Sequence, residues 1–112
     1  MTNIKVSRNN NGQIVKVVCD GHTNYGVSGE DIVCSALSSI VQTAVLGVLT
    51  VAFVNAKLKR NEDRGYLEFE IPENITPEQR HDVDVILNTM LCGISDLREG
   101  YSDFIELEVK NL

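Results

Sequence analysis

What this sequence has little of narrows it first. It has no tryptophan, yet 43% of its residues are hydrophobic, an ordinary share that argues against disorder. Basic residues are scarce: 10 Lys and Arg against 16 Asp and Glu leave a net charge of −6. Nucleic-acid binding rests on a basic, phosphate-facing patch, so that class is set aside. An acidic surface suits a basic partner, although solubility alone explains it equally well. Three cysteines cannot all pair, and Met1-Thr2-Asn3-Ile4 lacks the basic and apolar regions of a secretory signal. Together these features predict a cytoplasmic protein with free thiols, two of them buried. Long apolar runs are missing too. The most apolar stretch, Ile40 to Val54, is interrupted by Gln42, Thr43 and Thr50 and falls short of the roughly 20 residues a spanning helix needs. It reads as a core helix, with no membrane partner. With no linker, repeat or low-complexity segment, residues 1–112 are expected to form one domain around one core.

The patterns that are present define seven elements. Thr2 to Arg8 alternates with Ile4 and Val6 on one face, Gln13 to Asp20 is valine-rich, and Asn9-Asn10-Asn11-Gly12 between them signals a hairpin turn. Gly21 to Gly29 holds three glycines and no apolar periodicity, which makes it a loop. A helix is expected from near Ser28, spaced for a capping box with Asp31, to about Val54; its second half, apolar all round, predicts a buried central helix. Ala56 to Arg60 and Tyr66 to Ile71 form a second hairpin, with Leu67, Phe69 and Ile71 on its buried face. Thr76-Pro77-Glu78-Gln79 starts a second helix carrying Val83, Leu87, Met90, Leu91, Ile94 and Leu97 at helical spacing, and Gly100 ends it. Phe104 to Val109 is a last strand with Ile105, Leu107 and Val109 inward. The fold class is α+β: ββαββαβ, a largely antiparallel sheet with two helices packed on one face.

Chemistry concentrates at His22 and Cys34, which the glycine-rich loop separates. A free thiol, with a pKa of about 8.5, is mostly protonated at neutral pH and needs a base to become a nucleophile. Alone, a cysteine on an apolar helix is usually a small buried hydrophobe, and a loop histidine is usually just solvated. The pair is more informative than either, and Ser35, Ser38 and Gln42 add polar groups to the helix. Counted from Ser28, Cys34 lies about six residues past the cap, where the helix dipole helps only modestly. Cys19 continues the Val15 and Val17 face and reads as core, Cys92 as at least half-buried, and His81 as plain surface. Zinc on Cys19, His22, Cys34 and Cys92 is disfavoured because the paired Cys-x-x-Cys spacing is missing. A phosphate cradle at Gly21, Gly26 and Gly29 fails, since the loop has no Lys or Arg and Glu30 and Asp31 occupy the first turn.

Gly21-His22 followed by Gly29-Glu30-Asp31-Ile32-Val33-Cys34-Ser35-Ala36-Leu37-Ser38 closely resembles the ribosomal-processing cysteine protease family, Prp. The resemblance extends over the whole chain in length and element order. It implies that His22 and Cys34 are a catalytic dyad needing no cofactor and no metal. It also implies a homodimer whose substrate is the precursor of large-subunit ribosomal protein twenty-seven, shortened by removal of an N-terminal extension. Asp31 is the best local candidate to orient His22, and equally a helix-start acid balancing the dipole. Ser38 either lines the cleft or bonds back to the Cys34 carbonyl. Gly21, Tyr25, Gly26, Val27 and Gly29 are assigned to a substrate loop that closes as a lid. A different class stays open: a non-catalytic, ribosome-associated domain whose sheet face, bearing Glu68, Glu70, Glu106 and Glu108, recognises a basic ribosomal protein.

Overall fold

The computed structural model describes residues 1–22 and 31–112. Alternating strands build its sheet: β1 (Thr2–Arg8), β2 (Ile14–Asp20), β3 (Lys57–Asn61), β4 (Tyr66–Glu70) and β5 (Ile105–Asn111), interleaved with α1 (Ile32–Thr50) and α2 (Pro77–Gly100). The element order is ββαββαβ, as the patterns predict. Strand order across the sheet is β3-β4-β2-β1-β5, antiparallel except for the β1–β5 pair, which is parallel because α2 carries the chain across between β4 and β5.

Local chemistry explains the turns. Asn9 Oδ1 accepts from the amides of Asn11 and Gln13, and Gly12 takes the left-handed φ of +76° that closes the first hairpin. Thr76 and Gln79 form the full capping box expected at the start of α2, with Pro77 in the first turn.

The core lies between one sheet face and both helices. Ile4, Val6, Val17 and Phe69 meet Val33, Leu37, Val41 and Val48 of α1, and Val83, Leu87, Met90 and Ile94 of α2. Gly47 of α1 lies against Ile86, and Gly93 of α2 against Ile40, so a glycine on each helix lets the pair approach closely.

Four expectations are corrected. Helix α1 begins at Ile32, capped by Asp31, and ends at Thr50, beyond which Phe53 turns left-handed at φ +55°. Ser28 itself lies outside the described residues. The second half of α1 is not buried all round: Leu46 is 59% exposed, and Val51 and Phe53 beyond the helix are exposed as well. Apolar side chains there outnumber the positions that can face the sheet. By length and composition α1 could cross a membrane, but its Val33–Val48 stripe is packed into the core. On β5 the inward alternation fades. Ile105 is fully buried, Leu107 is half-buried and Val109 is 41% exposed, at the outer end of an edge strand.

The wet face of the sheet also differs from the acidic surface expected of it. Register sets Glu70 between Lys16 and Lys57, and Glu68 between Val18 and Lys59, while Lys5 lies opposite Glu108. Lys16 and Lys59 both reach Glu68, at 3.7 and 3.8 Å. Tyr66 donates a 2.7 Å hydrogen bond to the same carboxylate, which lowers the Glu68 pKa and raises that of Tyr66. The face is therefore a mixed-charge ladder.

Candidate active site

A cavity of about 240 Å³ opens between the first turns of α1, the end of β2 and the β3–β4 turn. His22 and Cys34, twelve residues apart in the chain, both line it. Each wall has a local cause.

On the helix side, Asp31 Oδ1 accepts from the Cys34 amide at 2.9 Å, which makes Cys34 the third residue of α1. The thiol is thus in the first turn, closer to the positive end of the helix than a start at Ser28 would put it. There the dipole favours an anion by about 0.3–1 kcal/mol. Asp31 is itself buried, at 7% exposure, and its bond to the Cys34 amide caps the helix. Ser38 and Gln42 follow one and two turns later on the same helix face and line the cavity, as does Leu37. Ser38 is therefore a cleft residue.

On the strand side, β2 ends at Asp20, and Gly21 turns the chain with φ +97°. A Cβ at Gly21 would sit 2.7 Å from the Met1 carbonyl oxygen, so no other residue fits without displacing β1. Gly21 donates to the Gly65 carbonyl at 3.0 Å and accepts from Thr2 Oγ1 at 2.9 Å. Gly21, assigned to the substrate loop from sequence, lines the cavity and anchors the backbone that carries His22. The imidazole is exposed, with Nε2 3.3 Å from the Asp63 carbonyl oxygen. Arg64 forms a two-pronged ion pair with Asp20, at 3.1 and 2.8 Å, just before the histidine.

The remaining cysteines separate cleanly. Cys19 is core, as expected, at 8% exposure on the cavity floor, and burial pushes its thiol up to about 12. It stays protonated, the opposite of what a nucleophile needs. Cys92, expected to be at least half-buried, is exposed, because its position on α2 falls outside the Met90–Ile94 stripe. His81 lies on the surface beside Asp82. Among the described residues, no group of three or more His, Cys, Asp or Glu side chains is placed to hold a metal ion. Tyr25, Gly26, Val27 and Gly29, the rest of the expected substrate loop, lie outside the described residues.

Sequence reasoning missed Thr2 and the β3–β4 turn. Thr2 is buried and points, with Ile4 and Val6, to the core face. A polar residue on an otherwise apolar alternation was the available signal. Arg60, Glu62 and Gly65 reach the cavity from the far hairpin, and nothing local in their sequence announces it.

A thiol and an imidazole in one cavity suit acyl transfer to a cysteine. The family model for cysteine protease Prp matches residues 1–106. The chain belongs to this family. It is accordingly a cysteine-type peptidase. Among curated relatives, the ribosomal processing cysteine protease Prp of Bacillus subtilis is 29% identical over 103 residues, 92% of each chain. That of Staphylococcus aureus is 24% identical over 98% of this chain and 100% of its own. Solved structures agree on the fold. The S. aureus Prp protease with a covalently linked product peptide superposes with a TM-score of 0.88, covering 98% of this chain and 100% of that one at 24% identity. A Streptococcus mutans protein superposes at 0.86, covering 100% of this chain and 96% of its own at 26% identity. The Prp fold thus accounts for both hairpins, both helices and the parallel edge strand.

Proposed function

We propose that this peptidase removes the N-terminal extension of the precursor of large-subunit ribosomal protein twenty-seven, using His22 and Cys34 as its dyad. The observation carrying this reading is that both side chains line one cavity, with Cys34 in the first turn of α1. The curated relatives are ribosomal processing proteases, and the S. aureus enzyme is known with a substrate peptide bound.

In this mechanism His22 takes the proton from the Cys34 thiol, and Sγ attacks the scissile carbonyl. As the tetrahedral intermediate collapses, the C–N bond breaks and His22 returns the proton to the leaving amine. Water, deprotonated by His22, then hydrolyses the thioester and frees the thiol. Ser38 and Gln42 lie along the cleft where the extension would run. The loop bearing Tyr25, Gly26, Val27 and Gly29 is the segment we assign to covering it.

The enzyme works as a homodimer in the cytoplasm in this reading. Three free thiols suit a reducing compartment. Leu46, Val51 and Phe53, exposed together at and beyond the C-terminal end of α1, are apolar surface that a second copy would cover. The competing reading, a non-catalytic domain with an acidic recognition face, loses its main support in the mixed-charge ladder of the sheet.

Incubation of the extended precursor with the wild type, Cys34→Ala and Cys34→Ser, followed by intact-mass measurement, tests the assignment. The wild type should yield a single shortened product and both variants none. A product of unchanged mass with the wild type would refute the substrate, and trimming by Cys34→Ala would refute the nucleophile.

A further inference from the structure

Catalytic histidines that work with a thiol or hydroxyl are commonly oriented by a third group, often a carboxylate. Asp31, the carboxylate proposed from sequence for this role, caps α1 by accepting from the Cys34 amide. Among the described residues, the polar group within hydrogen-bond distance of the His22 ring is the main-chain carbonyl of Asp63, 3.3 Å from Nε2. We propose that this carbonyl orients the imidazole, and that Asp20, Arg64 and Gly65 are positioning residues that hold it against the ring. The inference rests on the dyad assigned above.

The chemistry is directional. A carbonyl oxygen can only accept, so Nε2 carries the proton and Nδ1 keeps its lone pair. Nδ1 is therefore the nitrogen that receives the Cys34 proton. A neutral carbonyl fixes the tautomer without adding a second negative charge beside the nascent thiolate.

The turn is fastened to the strand end that precedes His22. Arg64 grips Asp20 through Nε and Nη2, and its guanidinium stacks over the Tyr66 ring with 4.9 Å to the centroid. The Arg64 amide is held by Asn61 Oδ1 at 3.3 Å, and the Gly65 amide by the Glu62 carbonyl at 3.1 Å. The Gly21 amide closes the loop onto the Gly65 carbonyl at 3.0 Å. Asp20, Gly21 and His22 are consecutive, so ring and carbonyl move as one body.

Gly65 makes the fit tight. Its φ is +70°, and a Cβ there would lie 3.0 Å from the Gly21 carbonyl and 3.0 Å from His22 Cε1. Any side chain at this position presses directly on the ring. That matters because a misplacement of about 1 Å can cost on the order of 100-fold in rate.

The test compares Gly65→Ala, Arg64→Ala and Asp20→Asn with the wild type in precursor cleavage and in alkylation of Cys34 by iodoacetamide. Gly65→Ala should lower kcat by on the order of 100-fold, and the two pair-breaking variants by about 10-fold, with KM within about twofold. Cys34 alkylation should slow in the same order, which a purely structural role would not produce in a folded protein. Arg64 and Asp20 are at the surface, with 63% and 38% of their side chains exposed, so their variants decide the matter even if Gly65→Ala does not fold. Wild-type kcat and alkylation in Arg64→Ala and Asp20→Asn, or losses confined to KM, would overturn the proposal. Cleavage by Cys34→Ala would instead overturn the dyad, so the two failures are distinguishable.

Discussion

At the residue scale, three cysteines occupy three environments, and chemistry follows environment. Cys19 is buried, Cys34 sits at a helix start on the cavity and Cys92 is exposed. Burial raises the folded-state pKa of Cys19 from 9.0 to about 12. A raised value means that the neutral thiol contributes its stability fully below the unfolded pKa, near 9, and that this is lost as pH rises toward 12. Urea unfolding between these limits should therefore show stability falling more steeply with pH for the wild type than for Cys19→Ala. Equal slopes would contradict the burial argument. At neutral pH the same change leaves a small gap on the cavity floor. That His22, Cys34 and Ser38 belong together was legible because the motif from Gly21 to Ser38 is local in sequence, and all three line one cavity. Thr2 and Gly65 were not, because their roles come from register and from a hairpin more than forty residues beyond Gly21.

At the element scale, the decisive correction concerns where α1 begins. Capping-box spacing suggested Ser28, but Asp31 makes the same bond to the amide three residues on, and one side chain with good geometry is enough to start a helix. That shift brings Cys34 into the first turn. Asp31→Ala should cost about 1 kcal/mol of stability through loss of the cap, with a lower turnover, whereas Asp31→Asn keeps an acceptor oxygen and should stay near wild type in both. Thermal melting and cleavage rates check this pair. A large loss of turnover in Asp31→Asn without loss of stability would show that the carboxylate charge matters to catalysis. The second helix, by contrast, was readable end to end, because Thr76, Pro77, Gln79 and the Val83–Ile94 stripe all agree. Ile94→Ala should destabilise by about 2–5 kcal/mol, since Ile94 is fully enclosed by both helices and the sheet. A denaturation midpoint close to the wild type would contradict that packing.

For the whole molecule, one sheet face builds the core and the ends of three elements build the site. The alternation of β1, β2 and β4 made the ββαββαβ order predictable. The parallel pairing of β5 with β1 depends on the path of the chain after α2, which no local pattern encodes. The outward surface of α1 carries the proposed self-association. Leu46→Asp and Phe53→Asp should shift sedimentation from dimer to monomer, and a wild type that sediments as a monomer at micromolar concentration would remove that assignment. The central claim is that His22 makes Cys34 the reactive thiol of this chain. Timed iodoacetamide labelling with peptide mass mapping, at about pH 6.5, measures all three cysteines in one sample. Cys34 should react at least about 10-fold faster than exposed Cys92, buried Cys19 should stay unlabelled, and His22→Ala should bring Cys34 down to the Cys92 rate. Labelling of Cys34 no faster than Cys92, or unaltered by His22→Ala, would contradict the account.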